Sequence, residues 1–369
     1  MKDKLDDLKI GLALSGGGVR ASAFHMGVLA RLGEEDLLKK VNMTSTVSGG
    51  SLLLGLVYTA NNNRWPNKEQ LEKVVYPFVR NKHIKKNLQV RVIVSQFSRF
   101  WISMKNGKAK HVSLALKNVW GIKSQLNDIE AYPRWNICAT TYQSGKSWRF
   151  IPNNRMGDYI LNYVEKPDIS LSDALCCSAG VPYLLGTLKL KTNRFSWYKY
   201  DENGNKVSCI QNTKKIHLWD GGVHDNLGIE PLVKFDNGCK YRPEFDYLIV
   251  SDASAPLDPT KRKGFSFKRL LDITTDQVRA IRSRVLYDHF EQSGTGTYLR
   301  IGDNEEQHTL TKAEIKFCED YGTTLMKMKK EDFDLLIKHG WEVANSSLLK
   351  MNSNFFKDIP FRKSYNKNK

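Results

Sequence analysis

Residues 43–60 read Met43-Thr44-Ser45-Thr46-Val47-Ser48-Gly49-Gly50-Ser51-Leu52-Leu53-Leu54-Gly55-Leu56-Val57-Tyr58-Thr59-Ala60. The β-branched run ending at Val47 predicts a strand, Ser48-Gly49-Gly50 a sharp turn, and Leu52–Ala60 a buried helix. The same order occurs one unit earlier. Ile10–Leu14 is a short apolar strand, Ser15-Gly16-Gly17-Gly18 a turn, and Val19–Leu32 a helix with Phe24, Val28, Leu29 and Leu32 at helical spacing. Strands alternating with helices predict an α/β fold of three layers, a central mainly parallel sheet with helices on both faces.

Farther out, residues 61–125 break the alternation. Asn61-Asn62-Asn63 and Trp65-Pro66 mark a loop, followed by a basic, aromatic-dotted segment that runs past Trp120. Arg134–Thr141 and Trp148–Ile151 predict a hairpin around Ser144-Gly145, and Leu171–Ser178 a short helix stopped by Gly180 and Pro182. Ile216–Trp219 and Tyr247–Ser251 predict strands, Lys268–Glu291 a long helix, and residues 309–350 further helix. The domain reading is a single domain over 1–356, with a variable basic insertion at about 61–125 and C-terminal helices at about 305–350. Residues 357–369 form a basic polar tail.

The bulk composition narrows the class. A chain of 369 residues, 41% hydrophobic and 26% charged, predicts a globular protein rather than a disordered one. No apolar run approaches the ~18 residues of a membrane span, and Met1–Lys9 leads into no signal-peptide core, so a cytoplasmic location is expected. The six cysteines show no metal-like pairing and are read as reduced thiols, with no metal site and no cofactor. A formal charge of +18 favours a polyanionic partner, nucleic acid or an anionic membrane face.

Three short constellations carry chemistry. Ser48 at a strand end, followed by glycines and a helix, fits a nucleophile elbow; it equally fits a Ser-Gly-Gly turn at a helix N-cap. Ser15-Gly16-Gly17-Gly18-Val19-Arg20 lets backbone N–H groups converge on an anion, as an oxyanion hole or as a dinucleotide loop, since Gly16-x-Gly18-x-x-Ala21 satisfies G-x-G-x-x-A. The dinucleotide reading fails, because it needs an acid ending the second strand, and Val47-Ser48 stands there. Asp220 in Trp219-Asp220-Gly221-Gly222 projects as a proton acceptor or sits in an ordinary Asp-Gly turn, and a triad using His224 or His25 stays open.

Taken together, Gly16-Gly17-Gly18-Val19-Arg20, Ser48-Gly49-Gly50 and Asp220-Gly221-Gly222, in this order, resemble the patatin-like phospholipase family. His25 with Gly27-Val28-Leu29, Ser178-Ala179-Gly180-Val181-Pro182, and Asn226 with Pro231 extend the likeness. It is close over about 9–60 and 170–233 and looser through Asp276-Gln277 and His339-Gly340-Trp341. The resemblance implies a Ser–Asp dyad without metal, releasing fatty acid from phospholipids or related glycerolipids through an acyl-enzyme. Ser48 would be the nucleophile and Asp220 the base, with Gly17, Gly18 and Gly49 holding the oxyanion. Arg20 would brace the loop or meet an oxyanion or phosphate. His25 reads as a packing histidine. One departure stands out: the family's glycine two residues before the serine is Thr46 here, whose branched side chain is expected to reshape or weaken the elbow.

Such an enzyme works at an interface. Val90–Lys110, read as one helix, carries Val92, Val94, Phe97, Phe100, Trp101, Ile102 and Met104 among Arg91, Arg99, Lys105, Lys108 and Lys110. It is expected either to lie peripherally on an anionic phospholipid membrane or to cover the sheet or acyl pocket. A protein or small-molecule regulator is a further expected partner. The alternatives are a thioesterase or peptidase of the same fold and a basic nucleic-acid-binding protein on a degenerate hydrolase scaffold. The last is disfavoured because no nucleic-acid module or stacking face is visible.

Overall fold

A computed structural model describes residues 7–180, 186–236, 238–257, 267–305, 308–352 and 355–361. Strand β1 (Ile10–Leu14) leads into α1 (Gly18–Glu34), and β2 (Val41–Thr46) into α2 (Gly49–Ala60). Then come α3 (Tyr76–Lys85), α4 (Leu88–Ser98), α5 (Phe100–Asn106) and α6 (Lys110–Ala115). The middle of the chain supplies β3 (Arg134–Thr141), β4 (Ser147–Ile151), β5 (Arg155–Asp158), β6 (Asn162–Glu165) and α7 (Leu171–Ser178). It continues with β7 (Leu188–Lys191), β8 (Trp197–Tyr200), β9 (Lys206–Cys209) and β10 (Lys215–Asp220). The last third adds β11 (Tyr247–Asp252), α8 (Phe267–Ser293), β12 (Gly296–Arg300), α9 (Lys312–Asp320) and α10 (Lys330–Asn352).

Twelve strands make one mixed sheet, in the order β12-β11-β1-β2-β3-β4-β5-β6-β8-β9, with β10 paired to β3 and β7. Strands β12, β11, β1, β2 and β3 are parallel. The period of two sorts their side chains onto two cores. Ile10, Leu12, Leu14, Tyr247 and Ile249 join α1, α2 and α10 on one face, while Ala13, Leu248 and Val250 meet Leu286 and Phe290 of α8 on the other. Helix α1 crosses α10 where Gly27 and Gly340 meet. A Cβ on Gly27 would strike the Ile337 carbonyl, and one on Gly340 the Phe24 carbonyl, so both positions must stay bare for the backbones to approach.

The sheet reaches beyond its parallel centre, and two expectations about helices need correction. Beyond β3 the sheet continues as an antiparallel wing, β4 to β9 with β10. Its four-residue strands bury Met156, Val164 and Trp197 on one face and stack Arg155 on Tyr163 and Tyr200, and Lys206 on Tyr198, and each is too short to show an alternation in the sequence. Val90–Lys110 is three helices, interrupted at Arg99 and at Gly107 (φ 87°). Residues 309–350 are not continuously helical either. The backbone turns extended at Tyr321 and runs as a non-helical segment to α10, where the carbonyls of Tyr321, Thr324 and Leu325 accept from Arg20, Val19 and Gln89 instead of from a helix turn.

Strand β3 positions the site. On one edge it pairs with β2 as far as Thr46 opposite Ile137. Since β4 holds the other edge, β10 continues in the lane that β2 leaves, running the opposite way and ending with Asp220 opposite Ala139. The two strand ends therefore face each other two residues apart along β3, about 7 Å.

Candidate active site

Ser48 leaves β2 with φ 48° and ψ −113°, a conformation that costs a β-substituted residue on the order of 1–3 kcal/mol. The turn closes only because its neighbours are small: a Cβ on Gly49 would collide with the Gly18 carbonyl, and one on Gly50 with the Leu14 carbonyl. Thr46 fits beside this elbow. Its Oγ1 accepts from Trp135 Nε1 at 2.9 Å and shares a hydrogen bond with Ser51 Oγ at 2.7 Å. Ser51 bonds Ser178 Oγ at 2.8 Å, and Ser178 Oγ accepts from the Ser48 N–H at 3.0 Å. The hydroxyl of Thr46 thus joins a chain that runs from an indole to the backbone of residue 48, which is how the branched side chain is accommodated.

Asp220 ends β10 facing that elbow. Its Oδ1 accepts from the Gly222 N–H at 2.8 Å, while Oδ2 is buried and makes no hydrogen bond among the described residues. Burial raises its pKa to about 7, opposed by the Gly222 N–H and by the nearby Ser48 side chain, both of which favour the carboxylate. Ser178 bridges the two halves: its hydroxyl holds Ser48, and its carbonyl accepts from the Gly221 N–H at 3.3 Å. That tie was not foreseen. Ser178 belongs to the small-residue segment Ser178-Ala179-Gly180-Val181-Pro182, of which Val181 and Pro182 lie outside the described residues.

The glycine-rich turn lies against the same spot. Gly17 (φ 143°) and Gly18 (φ 62°) adopt conformations that favour glycine, and the N–H groups of Gly17, Gly18 and Gly49 find no acceptor among the described residues. Arg20 is buried beneath, with Nε on the Ala253 carbonyl at 3.1 Å and Nη1 on the Tyr321 carbonyl at 2.5 Å. Both contacts are to backbone carbonyls distant in sequence.

Neither candidate histidine is placed as a base. His25 is buried, with Nδ1 on Ser251 Oγ at 2.8 Å and Nε2 on the Ser15 carbonyl at 3.0 Å. A carbonyl only accepts, so Nε2 carries the proton, and burial pulls the pKa to about 4. The Nδ1 of His224 turns to the Gly145 carbonyl at 3.2 Å.

A cavity of about 90 Å³ opens on Ser48. Gly18, Ser48 and Ala179 form its floor; Gln89, Val92, Ile93 and Gln96 of α4 and Thr323, Thr324 and Leu325 form its roof. The roof is tied down by Gln89 N–H to the Leu325 carbonyl at 3.1 Å and by Val19 N–H to the Thr324 carbonyl at 3.0 Å. Gln96 Nε2 is buried there without a partner among the described residues.

The sequence profile of patatin-like phospholipases matches residues 12–233. A patatin-like phospholipase domain-containing protein of Pyricularia oryzae is 31% identical over 261 residues, covering 69% of this chain and 29% of its own length. One from Neurospora crassa is 26% identical over 263 residues, covering 69% and 26%. The chain thus spans less than a third of these relatives. Among solved structures, human GIVD cytosolic phospholipase A2 superposes with a TM-score of 0.57 at 12% identity, over 96% of this chain and 60% of that one, a likeness of fold. With more than half its length matched by the profile, the chain belongs to the patatin-like phospholipase family.

Proposed function

We propose that the chain is a serine lipid acyl hydrolase that cleaves fatty acyl esters of phospholipids or related glycerolipids by a Ser48–Asp220 dyad. The observation that carries this reading is the shared lane beside β3, where a strained serine and a buried carboxylate end two opposed strands. Ser48 Oγ attacks the ester carbonyl and its proton passes to Asp220 Oδ2, the oxygen with no other partner. The oxyanion is received by Gly17, Gly18 and Gly49 N–H groups, each such donor being worth about 2.7–4 kcal/mol in the transition state. Collapse returns the proton to the leaving alcohol. Water, deprotonated by Asp220, then releases the fatty acid from Ser48.

The cavity at Ser48, about 90 Å³ and mostly apolar, is narrow, and α4 and the 321–328 segment are the elements a long acyl chain would pass between. The outer surface of α4 and α5 suits that passage: Val94 (54% exposed), Phe97 (84%), Trp101 (64%) and Met104 (68%) stand out among basic residues. We assign this surface to peripheral docking on an anionic, cytoplasm-facing bilayer. No helix among the described residues is long and apolar enough to cross a membrane. Flotation should require anionic lipid; equal binding to neutral vesicles at raised salt would contradict the docking.

The test of the reaction is incubation with mixed phospholipids and mass analysis of products. The parent should release fatty acid and lysophospholipid, and Ser48→Ala and Asp220→Asn should not. Undiminished release by Ser48→Ala would overturn the proposal.

A further inference from the structure

Helix α4 has a second face. Gln89, Val92, Ile93 and Gln96 roof Ser48, whereas Val90, Arg91, Val94, Ser95 and Ser98 line a separate cleft of about 790 Å³. Lys85, Lys86, Arg91, Arg99 and Lys327 line this cleft from two chain segments, and no aspartate or glutamate lines it. Among the described residues, none of these five cations has an ion-pair partner. The contrast with a second basic cleft, of about 480 Å³, is direct: there Asp168 and Asp173 join the lining, and Lys110 pairs with Asp173 at 2.6 Å. The first cleft gathers five solvent-exposed cations without an internal counterion, so its field is positive and open to an anion from solvent.

We propose that this cleft, formed by residues 85–99, 114–119 and Lys327, binds a small ligand carrying two or three clustered phosphate groups. The stoichiometry follows from charge. A phosphate monoester carries about −1.5 to −2 near neutral pH, so five cations match two or three such groups. A volume of about 790 Å³ is that of a small-molecule site. No aromatic residue lines the cleft, so nucleic-acid bases would find no stacking platform. The clustered phosphates could belong to a lipid headgroup or to a free anion. Binding at this site does not depend on turnover at Ser48.

The experiment is titration of the full chain with tripolyphosphate, run beside flotation with neutral vesicles carrying a bisphosphorylated inositol lipid. Three proteins are compared: the parent, Arg91→Ala/Lys327→Ala, and the charge-matched control Lys189→Ala/Lys191→Ala from the second cleft. Thermal midpoints check that all are folded. The proposal expects the parent and the control to bind alike, and the cleft variant to bind about tenfold or more weakly. Binding in the tripolyphosphate arm assigns the site to free anions; binding only to vesicles assigns it to a headgroup. Absence of binding in both arms overturns the proposal. So does equal weakening of both variants, which would show a response to net charge alone, and so does displacement of tripolyphosphate by single-stranded DNA at equal phosphate concentration.

Discussion

The floor and the roof of the Ser48 cavity obey different rules. The floor is made where backbones approach one another: Ser48 in a strained turn, Gly49 and Gly50 against the carbonyls of Gly18 and Leu14, and Gly17 and Gly18 at positive φ. Few residues satisfy such constraints. The roof is made of Val92, Ile93, Gln96 and Leu325, generic residues held by side-chain contact and two backbone hydrogen bonds. Floors of this kind tolerate almost no change, and roofs of this kind tolerate a good deal. Substitutions in each should separate the two.

The largest effect is expected from Gly50→Val. Its Cβ would meet the Leu14 backbone, which cannot yield without moving β1 and the elbow, so hydrolysis should fall more than about 10³-fold. Retention of a tenth of the parent rate would show that the floor is less rigid than described. Next comes Ser178→Ala, which unties the Ser48 N–H from its hydroxyl. We expect kcat to fall about 10- to 100-fold with KM unchanged, through misplacement of the nucleophile, and partial recovery in Ser178→Thr. A change confined to KM would reassign Ser178 to substrate binding.

A pH series sharpens the floor further. Asp220 must be ionised to accept a proton, and burial puts its pKa at about 7. Below that value kcat should drop about tenfold per pH unit, giving roughly a tenth of the plateau rate at pH 6. Stability runs the other way. A carboxyl that holds its proton in the folded chain but not in the unfolded one contributes stability below its unfolded pKa, and this is lost as pH rises through about 7. Asp220→Asn should therefore melt higher than the parent at pH 8 while losing activity, and the two melting points should converge near pH 4. A lower midpoint at pH 8 would mean that the carboxylate is satisfied in the folded chain.

The smallest effect belongs to the roof. Leu325→Ala should change turnover of a short-chain ester by about two- to fivefold, since it loosens a cover and leaves the elbow intact. A loss as large as that of Gly50→Val would erase the distinction between floor and roof.

The same distinction explains what could be read in the sequence. Ser48-Gly49-Gly50, the glycine turn and Asp220-Gly221-Gly222 were legible because each compresses a backbone requirement into a few residues. The parallel strands β1, β2 and β11 were legible because they are almost wholly buried and dominated by apolar or β-branched residues, each leading into a glycine turn or a polar strand end. The wing strands β5, β6, β8 and β9 were not, because each is only four residues long and gives few apolar positions to the core, Met156, Val164 and Trp197 among them, while Tyr and Arg side chains stack on the other face. The role of Ser178 and the break at Tyr321 were hidden for another reason. Both depend on partners more than a hundred residues away, Ser48 and Arg20, which no local pattern announces. Thr46 was expected to disturb the elbow, a concern raised by its bulk. Its hydroxyl is bonded to Trp135 and Ser51 beside the elbow, a contact that its bulk alone did not announce.

The proposed chemistry turns on Ser48 being activated by Asp220 across the end of one lane in the sheet. The most direct measurement is the rate at which a lipid-like fluorophosphonate labels the protein, with the modified residue located by peptide mass and the rate followed from pH 5 to pH 9. The account predicts one label per chain at Ser48, a rate rising with a midpoint near pH 7, and a much slower, pH-independent reaction in Asp220→Asn. Labelling at another residue, or an unchanged profile in Asp220→Asn, would contradict it.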